Sequence, residues 1–276
     1  MFKPKRIALL AALSAVAVWG AVPASVSPAN AGPVIMPHRA IYDLSLAKSA
    51  GTGAVTQAQG KLEFEWADAC ANWTVSQRTR VQLVASSGQV VEFGWSLNAL
   101  EAKDGSAYRF FIRRLNVGEA PEDVRGEATL KGPGKGGLAT YEQPEKREVT
   151  LPKGTLFPSA HSLVLLEAAE RGTFPVGRVV FDGSGDQGIF FVNAVLSREL
   201  APDVDLPLDS PLLRGQKSWR VNLAFFSLDE SAAEPEHEQA LRMYANGVVD
   251  DLILDYGDFS LRASLQALEA LPPAGC

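Results

Sequence analysis

The sequence predicts a mainly β protein in which an antiparallel sheet of about 14 strands wraps around one buried helix. Three observations support this fold class. Apolar and polar residues alternate through most of the chain, dipeptides typical of tight turns separate these runs, and one segment has helical spacing and is apolar on all sides. A helix of that kind is usually buried, and a mostly β protein can bury it only inside a curled sheet.

The strand pattern is clearest where Leu62, Phe64 and Trp66 alternate with lysine and glutamate. A period of two places these apolar side chains on one face of a half-buried strand. Comparable rows occupy residues 73–83, 91–97, 108–112, 189–196, 219–225 and 239–266.

Tight turns separate the strands. Asp104-Gly105 and Asn246-Gly247 are typical hairpin dipeptides, so consecutive strands should form an antiparallel meander. Residues 131–137 (KGPGKGG) lack the Gly-Lys-Ser/Thr order of a phosphate-binding loop and are interpreted as a flexible turn. Residues 201–214 contain three prolines and form the longest predicted loop.

The helix is predicted over residues 158–171. Pro158 prevents its extension backwards, Ser159 is expected to cap its start, and Gly172 ends it. The central run, residues 163–166 (LVLL), is apolar all round, which indicates burial.

The first 31 residues resemble a cleaved secretory signal peptide. Lys3, Lys5 and Arg6 precede an apolar stretch, and residues 29–31 (ANA) supply a small-x-small cleavage site. No later run approaches the roughly 20 apolar residues of a membrane span. We therefore expect an exported protein that does not span the membrane, with residues 32–276 forming a single domain.

The net charge argues against two classes of partner. The full chain has a net charge of −6, and cleavage would also remove three positive charges. An acidic, exported protein without a polybasic run is a poor candidate for binding nucleic acid or anionic lipid surfaces by charge.

The chain contains two cysteines, Cys70 and Cys276. A thiol pair in an exported protein is usually oxidised, and the spacing lacks the Cys-x-x-Cys order of a redox-active pair. We predict a structural disulfide that joins the C-terminus to the first third of the chain. A redox-active pair is the alternative.

The three histidines, His38, His161 and His237, lack zinc-site spacing, and no Gly-x-Ser-x-Gly motif is present. His161, at the start of the helix, could be a catalytic base. The alternative is a structural histidine that caps the helix or is held by a hydrogen bond.

Acidic motifs suggest no metal site. Residues 182–186 (DGSGD) begin like a calcium loop, but the sixth and twelfth positions lack the required glycine and glutamate, so a hairpin turn is predicted. The pairs Asp203 with Asp205 and Asp250 with Asp251 are expected on the solvated surface. We expect no cofactor.

Aromatic residues provide the remaining candidate site. A curled sheet that does not close leaves an apolar concave face, and such faces bind lipids, acyl chains or peptides. The candidates are Trp66, Phe93, Trp95, Phe110, Phe190 and Phe225.

Two segments and the cysteine placement resemble the EipB family of alphaproteobacterial cell-envelope integrity proteins. The segments are residues 37–44 (PHRAIYDL) and 154–161 (GTLFPSAH). The resemblance covers essentially the whole chain after residue 31. It implies a periplasmic protein with a spiral, half-open β-barrel around a helix, closed by the disulfide and similar to the lipoprotein carriers of the Lol pathway. It assigns a role only to Cys70 and Cys276, and it implies a tetratricopeptide-repeat protein as associate.

Three functional hypotheses follow. The first is a periplasmic, non-enzymatic factor, expected to be a monomer, that binds an apolar ligand or a protein partner in its concave face. The second is a hydrolase of an envelope component, with His161 beside an acid and a nucleophile. The third is a structural module whose interior is filled by its own helix.

Overall fold

A computed structural model describes residues 32–49, 55–116, 118–185, 187–228 and 233–276. The predicted signal peptide, residues 1–31, and Asp186 of the DGSGD motif lie outside the described residues. No helix of the described residues is long and apolar enough to cross a membrane.

Fourteen antiparallel strands and one α-helix form the described structure, as predicted. The strands are β1 His38–Ser49, β2 Val55–Ala69, β3 Asn72–Ala85, β4 Val90–Ala102, β5 Ala107–Asn116, β6 Glu122–Leu130, β7 Gly137–Gln143, β8 Arg147–Leu151, β9 Val176–Phe181, β10 Ile189–Leu196, β11 Ser218–Ser227, β12 His237–Tyr244, β13 Val249–Asp255 and β14 Phe259–Ala270. The helix α1, Pro158–Arg171, lies between β8 and β9 in the chain.

One continuous sheet has the strand order β8-β7-β6-β5-β4-β3-β2-β1-β14-β13-β12-β11-β10-β9. Consecutive strands are neighbours because short turns join them, and the pairing of β1 with β14 joins the two halves. The two ends of the sheet, β8 and β9, are therefore the segments on either side of α1.

The two ends of the sheet meet and nearly close the barrel. Leu156, which follows β8, forms a parallel bridge with Val180 of β9. Its N–H donates to the Val179 carbonyl at 2.9 Å, and its carbonyl accepts from the Phe181 N–H at 2.9 Å. We call this junction the seam.

The helix begins with Pro158 at its first position and ends at Gly172, which adopts the left-handed conformation with φ of 65°. The prediction that Ser159 caps the helix is wrong. The N-cap residue is Phe157, whose side chain has no hydrogen-bonding group, and the free N–H groups of the first turn are bound by Glu101 of β4 instead. None of residues 158–169 is exposed, so the expected burial is confirmed.

Three apolar clusters fill much of the barrel. The helix cluster includes Leu165, Leu166, Trp66, Trp73, Phe190, Val192, Trp219 and Val221. The loop cluster includes Tyr42, Leu44, Leu62, Val81, Leu212, Leu213, Tyr244 and Leu261. The seam cluster includes Tyr108, Phe110, Ile112, Tyr141, Phe157, Phe181 and Ile189.

The predicted disulfide is present. Cys70 lies in the turn between β2 and β3, and it is bonded to Cys276 across a sequence separation of 206 residues. The Cys70 N–H donates to the Asp68 carboxylate at 3.0 Å, which fixes the turn. The bond therefore ties the segment after β14 to the tip of the β2–β3 hairpin.

Asp250 is buried, so its predicted place on the solvated surface is wrong. The Arg242 Nε donates to both of its carboxylate oxygens, at 2.8 and 2.9 Å, and the Tyr244 hydroxyl donates at 2.8 Å. The same guanidinium donates to the carbonyls of Val204 and Asp205. Because a buried ion pair needs further hydrogen bonds to offset desolvation, this network fixes the loop of residues 201–214 against the barrel.

Candidate ligand-binding interior

Strand β4 carries a row of inward-facing side chains that are only partly covered. Phe93, Trp95 and Leu97 alternate with outward-facing residues, and each of the three is half-buried. Phe93 packs against the loop cluster and Leu97 against the seam cluster. Trp95 lies between them and belongs to none of the three clusters of the described residues. Trp95 therefore keeps surface that none of these clusters covers.

The backbone pairing shows what surrounds Trp95. It lies opposite Thr79 of β3 and opposite Arg114 of β5. The Thr79 hydroxyl is buried and has no hydrogen-bond partner in the described structure. Arg114 donates to Glu122 at 3.1 Å. This part of the interior thus combines an aromatic surface with one unsatisfied hydroxyl and the ion pair of Arg114 with Glu122.

A second half-covered apolar surface lies on the inner face of β11 and β12. The rings of Phe225 and His237 stack with centroids 4.2 Å apart and an interplanar angle of 15°. Phe190 meets both rings edge to face. Burial lowers the pKa of His237, which disfavours the charged form of its imidazole on this surface.

The six predicted site residues divide into two groups. Phe93, Trp95 and Phe225 are half-buried on the inner face. Trp66, Phe110 and Phe190 are buried within clusters, where each meets further aromatic rings at centroid distances of 5.3–6.2 Å. Only the first group presents surface that a ligand could contact without displacing the core.

His161, the residue considered as a catalytic base, is buried at the start of the helix. The residue is 6 % exposed, and its Nε2 has no hydrogen-bond partner in the described structure. Burial, and the nearby positive charge of Arg178, lower its pKa to about 4. The sequence left catalysis and helix capping open. The structure shows a neutral, buried imidazole, while the first turn of the helix is capped from elsewhere.

Glu101 is the functional candidate that the sequence analysis missed. Its carboxylate is 2 % exposed and accepts hydrogen bonds from the N–H groups of Ser159 and Ala160, at 2.8 and 2.9 Å. Burial raises its pKa to about 7, and the two hydrogen bonds oppose that change. One sequence feature pointed to it, because Glu101 continues the inward-facing row of Phe93, Trp95 and Leu97.

A groove of about 920 Å³ lies across β1–β5 on the opposite, solvent-facing side of the sheet. Its floor is the paired backbone row that runs from Leu44 through Gly60 to Val81 and Phe93. Its walls carry both signs of charge, including the ion pair of Lys61 with Asp43. Its lining therefore mixes charged side chains with the apolar residues Leu44, Val81 and Leu115. The described residues also contain no group of three or more His, Cys, Asp or Glu side chains that could hold a metal ion.

Comparison with known proteins agrees with this architecture. The family model described as EipB-like matches residues 29–272. The chain belongs to the EipB-like family. The cell envelope integrity protein EipB of Brucella abortus (strain 2308) is 30% identical over 271 residues, which cover 96% of this chain and 94% of that protein.

A crystal structure of a β-barrel-like protein of a domain of unknown function (DUF1849) from Brucella abortus superposes with a TM-score of 0.79. It is 25% identical to this EipB-like chain and covers 87% of this chain and 100% of the other.

Residues 154–161, which resemble the EipB family in sequence, lie where the sheet edges meet and the helix begins. Leu156 bridges the seam, Phe157 is buried in the seam cluster as the N-cap residue, and Pro158 occupies the first helical position. Proline suits that position because its missing N–H would have no partner inside the helix. One short segment therefore closes the barrel and starts the helix.

Proposed function

We propose that this EipB-like protein is a periplasmic, non-enzymatic factor of cell envelope integrity that binds a lipid acyl chain in the barrel interior beside Trp95. The envelope role is suggested by the name of the Brucella relative. Export to the periplasm is suggested by the signal-peptide pattern of residues 1–31.

The observation that carries the proposal is the half-buried Trp95. A large aromatic side chain on the inner face of a barrel is normally covered by neighbouring core residues. Here Trp95 lies between two clusters without joining either. A ligand with apolar surface would cover it and gain roughly 25 cal/mol for each Å² removed from water.

An acyl chain fits this surface better than a peptide. The row of Phe93, Trp95 and Leu97 offers one hydrogen-bonding group, the indole N–H, and the polar groups beside it are the Thr79 hydroxyl and the Arg114–Glu122 ion pair. A peptide would bring N–H and C=O groups whose burial without partners is costly, whereas an acyl chain has none along its length.

A hydrolase requires a base held beside an acid and a nucleophile, and the unpartnered Nε2 of His161 does not provide that arrangement. The filled-core hypothesis makes a clear contrary prediction. If the helix and the three clusters occupy the whole interior, an acyl chain will not bind.

The first experiment is native mass spectrometry of the protein purified from its own periplasm, followed by organic extraction. A measured protein mass that matches a chain starting at Gly32 would support export and cleavage. A bound lipid or acyl species would support the proposal. A bare protein that also fails to bind an added fatty acid would contradict it and favour the filled core.

Tryptophan fluorescence gives a site-specific second test. Trp66, Trp73 and Trp219 are 6 %, 9 % and 2 % exposed, so Trp95 is the half-buried tryptophan of residues 32–276. A brominated fatty acid should therefore quench Trp95 preferentially.

A matched pair of variants tests the location. Trp95→Glu should weaken retention of the fatty acid, measured by native mass spectrometry, by at least about tenfold because a charge replaces apolar contact. Leu100→Glu changes an outward-facing residue of the same strand that is 36 % exposed, and it should have no effect. Equal losses in both variants would contradict the interior site.

The tetratricopeptide-repeat associate and the monomeric state are parts of the same proposal. Crosslinking in the periplasm would identify the associate, and the native mass would give the number of chains.

A further inference from the structure

The seam is the least strongly paired junction of the barrel. The neighbouring edge pairs, β7 with β8 and β9 with β10, are joined through five and six residue pairs. Across the seam the described structure contains the single bridge of Leu156 with Val180 and the two backbone hydrogen bonds beside it. Separating the sheet edges here breaks far fewer hydrogen bonds than separating strands elsewhere.

Side-chain hydrogen bonds add little to this junction, whose other contacts are the apolar packing of the seam cluster, including Phe157 against Phe181. The Tyr108 hydroxyl donates to the Asp182 carbonyl at 3.3 Å. The Tyr141 hydroxyl lies 3.4 Å from the Gly183 carbonyl and 3.2 Å from the Gln187 carbonyl. All three distances are long for an O–H donor, whose usual distance is about 2.7–2.8 Å.

The strongest polar contact beside the seam is made by Glu101. Its carboxylate extends from β4 and binds the N–H groups of Ser159 and Ala160, three and four residues after Leu156. A carboxylate at a helix N-terminus is stabilised by the unpaired N–H groups and by the helix dipole. Glu101 therefore attaches the start of α1, and with it the bridging segment, to the opposite part of the sheet.

The same row of β4 connects this contact with the proposed ligand surface. Glu101 and Trp95 face inward from one strand, six residues and about 20 Å apart. Release of Glu101 would free the start of the helix, which closely follows the bridging residue Leu156.

We propose that the acyl chain enters the barrel through the seam. The hydrogen bonds between the helix start and the Glu101 carboxylate hold the seam closed. This inference rests on the proposed function. It adds a route of access and a positioning residue that controls it.

The test measures the loading rate separately from binding. Stopped-flow quenching of Trp95 by a brominated fatty acid gives the rate, and native mass spectrometry gives the final occupancy. Glu101→Ala should load about tenfold faster, because loss of a helix cap weakens the closed state. Glu142→Ala, an exposed acid on β7, is the matched control and should load at the wild-type rate.

A covalent lock provides an independent variant that leaves Glu101 in place. Leu156→Cys with Val180→Cys joins the bridged pair, whose Cα atoms are neighbours across the seam. The oxidised variant should load at least tenfold more slowly, and reductant should restore its rate. Wild type with the same reductant controls for opening of the Cys70–Cys276 bond.

The outcomes separate the two proposals. Binding with unchanged rates in the locked variant would overturn the seam as the route and leave the proposed function intact. Failure of wild type to bind the fatty acid would overturn the proposed function. In that case hydrogen exchange at the Leu156 amide decides the role of Glu101. Unchanged protection of this amide in Glu101→Ala would show that Glu101 does not hold the seam closed.

Discussion

Replacing both cysteines, Cys70→Ala with Cys276→Ala, should lower the free energy of unfolding by about 5 kcal/mol. The magnitude follows from the separation of 206 residues between the bonded positions. In the chain-entropy model, a crosslink stabilises the fold by restricting the unfolded chain, and the effect grows with the logarithm of loop length. Residues 272–276 contain no regular secondary structure, so the native barrel should change little.

Urea unfolding followed by far-UV circular dichroism measures this difference. Wild type in reductant should approach the stability of the double variant, while the double variant should not respond to reductant. The unfolded double variant should also expose more surface, which raises the slope of the denaturant dependence. A loss below about 1 kcal/mol would refute the reasoning, because the unfolded chain would then be compact without the crosslink.

Two further predictions concern buried charges. Arg242→Met should destabilise the protein by about 3–5 kcal/mol, because it leaves Asp250 buried without its cation. Arg242→Met combined with Asp250→Asn should recover part of that loss in the same urea assay, and no recovery would contradict the assignment. For Glu101, the pKa is raised from 4.5 to about 7 in the folded protein, so its stabilising contribution is complete below pH 4.5 and is lost as the pH rises through 7. The stability of wild type relative to Glu101→Gln should therefore fall by up to about 3 kcal/mol between pH 4.5 and 8, and a constant difference would contradict the raised pKa.

Buried acids were the least predictable feature of the fold and of the candidate site. Asp250 and Glu101 each look like a polar position of a strand when read alone. Their burial depends on partners far along the chain, Arg242 in the first case and the helix start in the second. Periodicity reports which face of a strand a residue occupies, and it carries no information about which face a distant element will cover.

The aromatic residues show the same limit. The alternation pattern predicted that Trp66 and Trp95 both lie on the apolar concave face, since both are apolar residues in strands. In the folded protein Trp66 packs edge to face with Trp73 beside the helix, whereas Trp95 lies between two clusters. The difference arises because the helix cluster covers Trp66, whereas none of the three clusters covers Trp95.

The sequence alone determined the antiparallel strands, the turns, the buried helix and the disulfide of Cys70 with Cys276. These features are local, or in the case of the disulfide involve the two cysteines present in the chain, so short-range patterns specify them. The tertiary structure alone decided that Glu101 caps the helix, that Leu156 bridges the sheet edges and that Trp95 keeps an uncovered surface. Each of these depends on curling the sheet until strands distant in sequence meet, and the energy of that packing is not encoded in any single segment.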